Sequence, residues 1–133
     1  MNLIQANIAE LVANAVRTAT LTPSTGVDIS AYDGALHFIL QSSAATAGTT
    51  PTLNCKLQHS DEADDNFADV TGATFAEVTD AADITEMITR QASDLKKYIR
   101  VVCTVAGTDT PTFGFGVSMV GCLHSGRNAS QAV

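Results

Sequence analysis

No tryptophan occurs in this chain, and only two tyrosines and five phenylalanines do. Sugar recognition relies on exposed rings. Here Phe38, Phe67, Phe113 and Phe115 fall in apolar patterns that a core would claim. Basic residues are also few: seven against fourteen acidic, for a net charge of −7. They are Arg17, Lys56, Arg90, Lys96, Lys97, Arg100 and Arg127, and only Lys96, Lys97 and Arg100 lie close together. Without a basic stripe to neutralise phosphates, direct nucleic-acid binding is not expected. Cysteine is limited to Cys55, Cys103 and Cys122. An odd count with no CxxC spacing speaks against a disulfide framework or a zinc site. Cys55 and Cys103 sit in apolar strand patterns, where a thiol packs as a small hydrophobe and suits a reducing cytosol. No run reaches the ~18 apolar residues needed to span a bilayer, so no membrane partner is expected. The opening "MNLIQANIAELV" lacks a basic start and carries Glu10, unlike a signal peptide.

What is present is alternation. The chain has 133 residues, 45% of them hydrophobic, which suits one domain with one core. Four segments repeat with period two. Leu36, Phe38 and Leu40 share a face, as do Leu53, Cys55 and Leu57; Ile99, Val101, Cys103 and Val105; and Phe113, Phe115, Val117 and Met119. Such patterns predict antiparallel strands with one buried face. Shorter strands fit "NFADV", "TFAEV" and "DITEMITR", with turn chemistry in "AYDG", "VTGAT" and "AGTDTP". The fold class is all-β, an antiparallel β-sandwich with a jelly roll as one form of it. An internal echo, "AGTTPTLNCKL" and "AGTDTPTFGFGV", reads as two similar hairpins, 35–59 and 97–121. The sandwich is assigned to 23–121, with a flexible polar tail at 122–133.

The segment 1–22 is read separately, as a short helix or an extended arm. Ile4, Ile8, Leu11, Val12 and Ala15 recur at helical spacing. Ile4, Ile8, Leu11 and Val12 would make one apolar stripe, and a stripe left in water invites association. These four are the candidate assembly contacts.

The densest polar chemistry is "KLQHSDEADDNFADV". Asp61, Glu62, Asp64 and Asp65 have neither the central glycine nor the alternate spacing of a calcium loop. Paired catalytic carboxylates need a cleft and one raised pKa, which a short polar loop does not supply. The stretch reads as a hairpin tip, with Phe67 and Val70 returning to the core. His37 and His59 could meet across the first hairpin, but two histidines without a third ligand do not make a metal site. "GVSMVG" has Val120 where a nucleophile elbow needs its second glycine. No catalytic residue, cofactor or metal is assigned, and the chain does not read as an enzyme.

"GVDISAYDGALHFILQSS", "TPTLNCKLQHSDEADDNFADV", "DLKKYIRVVCTVAG" and "PTFGFGVSMVG" together resemble small structural proteins of tailed bacteriophages. The resemblance covers about 17–121 and lies in the order and texture of strands. It implies a virion component made in the bacterial cytoplasm, in the first place a capsid decoration (cement) protein on the outer surface of the head shell. The implied partners are the major capsid protein and further copies of the chain, as a homotrimer. A tail or head-completion subunit is the nearest alternative, and a carbohydrate-binding module of a fibre the rival from another class.

Overall fold

The computed structural model describes residues 6–123. It is an all-β antiparallel sandwich: β1 (Ala6–Arg17), β2 (Val27–Asp28), β3 (Tyr32–Ser42), β4 (Ala47–Ser60), β5 (Ala68–Thr74), β6 (Ile84–Gln91) and β7 (Tyr98–Leu123), with one 3-10 turn at Ala92–Asp94. Among the described residues there is no α-helix, and so none long and apolar enough to cross a membrane.

The spine is a long bent ribbon. β7 runs antiparallel first to β4 (Ser60↔Tyr98 to Ala47↔Thr112) and then to β3 (Ser42↔Phe115 to Tyr32↔Leu123). Between them, Ser43 N–H donates to the Gly114 carbonyl at 2.8 Å and Thr46 N–H to that of Thr112 at 2.9 Å, so pairing continues through the bend. The ribbon folds back on itself, and its two halves lie in facing sheets. One sheet runs β1–β7–β3–β6; the other has β2 and Leu21 beside β7, then β4 and β5.

This corrects the reading of two hairpins. β3 does not pair with β4, and the first half of β7 does not pair with its second half. The two echoed sequences are corners by which the chain crosses between sheets, and they pair with each other: Ala47 lies opposite Thr112, and Thr52 opposite Ala106. The corners need unusual backbone. Gly48 and Gly107 have φ of 108° and 121°, and a Cβ on Gly107 would lie 2.9 Å from the Thr50 carbonyl oxygen. Thr50, Asp109 and Thr110 are also left-handed, at φ 46°, 59° and 56°. Such conformations persist only where surrounding pairing fixes them. Thr49 Oγ1 donates to the Asp109 carboxylate across the corner and helps to do so.

The period-two faces close over one another. Leu36, Phe38, Leu40, Phe113, Phe115, Val117 and Met119 from one sheet meet Leu53, Cys55, Leu57, Ile99, Val101 and Cys103 from the other, all buried. Phe75 and Val78 join them from the chain after β5. That region differs from expectation. "VTGAT", read as a turn, lies largely in β5, with Gly72 at φ 73° and a register shift between Lys56 and Gln58 of β4. "TFAEV", read as a strand, starts at the end of β5 with Thr74 and then keeps to β4 through Phe75 N–H to the Cys55 carbonyl at 2.9 Å and the isolated bridge Leu53↔Val78.

The N-terminal segment takes the extended alternative. β1 pairs with β7 from Ala6↔Cys122 to Arg17↔Phe113, which excludes a helix over 6–17. A free edge of β7 offers a full ladder of hydrogen bonds, and an isolated short helix offers nothing comparable. Helical spacing misled because the strand carries irregularities between Glu10 and Val12 and between Val12 and Ala15, which disturb strict alternation. Val12 is only 3% exposed and belongs to the core, so the segment expected to stand apart is woven into the sandwich from Ala6. At the other end, Cys122 and Leu123 belong to β7, and the rest of the expected tail lies outside the described residues.

Phe115 is fully buried at the centre of this packing, with the Arg17 guanidinium 5.0 Å from its ring centroid. Truncating Phe115 to Ala should cost about 3–5 kcal/mol. Urea unfolding measures this directly; a midpoint within a few tenths molar of the parent would contradict the inward placement.

Candidate functional site

Each sheet also has an outward face, and the two differ in chemistry. On the β4–β7 sheet most outward side chains are polar and several are bonded to one another; Val102, opposite Lys56, is apolar and buried. Lys56 pairs with Asp69 at 3.0 Å, Gln58 donates to Asp69 at 2.8 Å, and Asn54 donates to Glu77 at 3.0 Å. Arg100 donates to Gln58 at 2.9 Å and to the Pro23 carbonyl at 2.8 Å, and it stacks 4.1 Å above the Phe67 ring. Hydrogen bonds from Gln58 and then Lys56 hold the Asp69 carboxyl below its ordinary pKa. Such a face is satisfied within its own chain. Phe67, expected in the core, is instead half-buried under Arg100.

The outward face of the β1–β7–β3–β6 sheet is apolar at its centre. Opposite residues of a ladder share a face. Ile8 lies opposite Val120, Val120 opposite His37, and His37 opposite Thr89. In the adjoining row Glu10 lies opposite Ser118, Ser118 opposite Ile39, and Ile39 opposite Met87. Ile8, Val120, Ile39 and Met87 thus gather on one side of four strands. Ile8 is 71% exposed and Met87 58%, and Val16 further along β1 is 73% exposed. Around them are His37, bonded to Thr89 at 2.9 Å, then Glu10 and Ser118.

The four expected assembly residues separate. Ile8 is on this outward face. Val12 is in the chain's own core and Leu11 packs against it. Ile4 lies outside the described residues. Ile39, Met87 and Val120 were not singled out from the sequence. The signal was there for two: Ile39 and Val120 are large apolar residues at the polar phase of an otherwise clean alternation, while Met87 shares its phase of β6 with Thr85, Thr89 and Gln91.

The acidic loop joins β4 to β5 as a hairpin tip. Its organiser is Ser60, 1% exposed, whose hydroxyl accepts from Glu62 N–H at 3.0 Å and donates to the Asp65 carbonyl. Asp65 receives the Asn66 N–H at 2.8 Å, Glu62 receives the Asn66 amide at 2.9 Å, and Asn66 is left-handed at φ 58°. Asp61, Glu62, Asp64 and Asp65 are all exposed. Among the described residues no three His, Cys, Asp or Glu side chains converge as metal ligands. His37 and His59 do not meet: His37 is in the β3 sheet, and His59 closes the end of the other. Nδ1 of His59 accepts the Lys96 N–H at 3.2 Å. Burial, and then the Lys96 charge, push the His59 pKa below 6.5, against an opposing pull from Asp61.

No protein-family model matches the chain, and no curated protein does. Among the solved structures with a similar fold are chains of infectious bursal disease virus particles. The chain in the T13 viral particle of infectious bursal disease virus superposes with a TM-score of 0.54 at 12% identity, over 93% of this chain and 32% of that one. The chain of the Gx strain gives 0.52 at 11% over 91% and 32%, and the VP2 subviral particle 0.51 at 10% over 93% and 33%. This chain therefore spans about a third of the capsid chains it resembles, and the likeness is one of fold.

Three outcomes are expected. Replacing Asp61, Glu62, Asp64 and Asp65 by Asn or Gln should shift stability by no more than about 0.5 kcal/mol each, with no calcium-dependent rise in melting. Ser60→Ala, by removing the hydroxyl that bonds the Glu62 N–H and the Asp65 carbonyl, should cost about 0.5–1.5 kcal/mol for each bond lost. Equal effects in thermal melts would place the loop's support elsewhere. For His59, a folded pKa below the unfolded one means its contribution is complete above pH 6.5 and is lost as pH falls through the depressed value. The difference in stability between the parent and His59→Gln should shrink on acidification below pH 6.5. A difference that is flat or grows in that range would reverse the sign.

Proposed function

We propose that the chain is a structural protein of a virion that associates through the outward face of the β1–β7–β3–β6 sheet. The observation that carries this is the gathering of Ile8, Val120, Ile39 and Met87 on that face, opposite a face whose polar groups are already bonded to each other. Exposed apolar residues grouped on one sheet mark a contact surface. The capsid chains of similar fold support the structural class.

The finer reading is a bacteriophage decoration, or cement, protein. It sits on the outer surface of the head shell, bound to the major capsid protein and to further copies of itself as a homotrimer. It is made in the host bacterial cytoplasm and carries no cofactor. A cement protein must remain soluble alone, bind a repeating surface in many copies and do no chemistry. A net charge of −7 keeps such a chain apart from its own copies until a shell is present. Each large apolar side chain buried on docking contributes about 1.5–3 kcal/mol before ordering costs. Ile8 is the assembly contact retained from the N-terminal stripe, joined by Ile39, Met87 and Val120.

A tail or head-completion subunit could use the same face, and location separates the two readings. Cryo-electron microscopy of the source particle should place the chain outside the head shell. Deleting the N-terminal segment would be a poor test, because it removes Val12 from the core. Ile8→Glu with Met87→Glu leaves the core untouched. This variant should melt within about 0.5 kcal/mol of the parent per substitution and bind heads stripped of the protein at least about tenfold more weakly. Undiminished binding would remove this face from assembly, and density in the tail would remove the decoration role.

A further inference from the structure

In the β4–β7 ladder Cys55 lies directly opposite Cys103, and both are buried and reduced. Opposed residues of an antiparallel ladder come in two kinds, and the backbone bonds tell which kind this is. Cys103 N–H donates to the Leu21 carbonyl at 2.9 Å, and Leu21 N–H donates to the Cys103 carbonyl at 2.8 Å. The Cys55 carbonyl accepts the Phe75 N–H at 2.9 Å. These groups all point away from the ladder that the two cysteines share. The pair is therefore of the non-hydrogen-bonded kind, in which Cα atoms approach to about 4.5 Å. Disulfides span Cα separations of roughly 4.4–6.8 Å. Both side chains enter the same core, among Leu53, Leu57 and Val101. Cys122 is in the other sheet, opposite Ala6 and Asp33, with no cysteine facing it.

We propose that Cys55 and Cys103 are a thiol pair that closes into a cross-strand disulfide when the chain meets a small-molecule disulfide such as oxidised glutathione. One cysteine loses its proton, and its thiolate attacks a sulfur of the reagent, expelling one glutathione thiolate. The second cysteine, deprotonated in turn, attacks the protein sulfur of the mixed disulfide and expels the other. The two protons end on the two released thiols; the reagent is reduced and the pair oxidised. A thiolate is disfavoured at this depth: the Cys103 contact and burial push the Cys55 thiol well above its ordinary pKa. Closure therefore takes place while the ladder is open, when the chain folds or refolds in the presence of that oxidant. Once folded, the same burial shields the bond from reductants. The link joins positions about 50 residues apart and fixes β4 to β7 within the spine.

The test uses the parent and Cys122→Ser, each unfolded in guanidinium and refolded with oxidised and reduced glutathione or with reductant alone. Remaining thiols are alkylated, and intact mass, peptide map and melting are measured. After oxidising refolding the Cys122→Ser chain should be about 2 Da lighter and take no alkyl group. The parent should take one, at Cys122, and yield a linked Cys55–Cys103 peptide. The oxidised form should melt on the order of 5–10 °C above the reduced form. Two alkyl groups on Cys122→Ser, a linkage through Cys122 in the parent, or an oxidised form that melts below the reduced one would each overturn the proposal.

Discussion

Everything in this fold depends on pairing along one bent ribbon, Tyr32–Ser60 against Tyr98–Leu123. The ribbon supplies two strands to each sheet, and the remaining strands attach to its edges. β1 and β6 complete one sheet; β2 and β5 flank the other. Because both halves belong to one continuous ladder, the inner faces cannot slip independently. A one-residue shift of β7 would turn Phe113, Phe115, Val117 and Met119 outward while their partners on β3 still faced the core. Separate hairpins would each fix only their own register. The bent ribbon fixes the relation between the sheets as well.

Side-chain facing was legible in the sequence, and strand pairing was not. Facing is local: Leu36, Phe38 and Leu40 declare one side by their spacing alone, and all three are buried. Pairing is a choice among distant segments, and the echo of "AGTTPT" with "AGTDTPT" fits two arrangements equally well. Two hairpins need each Gly-Thr-Pro run to turn a strand onto its neighbour. Two corners need each run to pass a strand between layers. The deciding interactions, such as Ala47 against Thr112 and Thr49 with Asp109, join residues some sixty apart. The N-terminal stripe failed for a related reason. Residues at 8, 11 and 12 satisfy a helix and equally satisfy a strand with a bulge after Glu10. The partner that decides between them, the second half of β7, lies more than a hundred residues away.

The same limit explains why the candidate surface was only partly visible. Ile8, Ile39, Met87 and Val120 come from four strands and share a face only once β1–β7–β3–β6 is known. Taken singly, each is an apolar residue in partial or full contact with solvent, of the kind every protein surface carries. The acidic loop shows the converse. Its composition drew attention, yet its carboxylates are exposed and its geometry is set by Ser60 and Asn66.

β1 shows how a contact face and a protected edge share one strand. From Ala6 to Glu10 its ladder with β7 is regular; beyond Glu10 it is broken twice. The second irregularity is accommodated by Gly116, where a Cβ would lie 3.0 Å from the Asn14 Cα. A side chain there would push the irregular part of β1 off the sheet. Arg17 secures its far side, donating to the Phe115 carbonyl at 3.0 Å. An irregular edge is a poor template for another chain's strand, and so guards against open-ended pairing. The regular end lies beside Val120 and presents Ile8. Under the proposed function, association is thereby directed toward side-chain contact on the face and away from backbone pairing along the edge. An edge of this kind limits growth into a fibre.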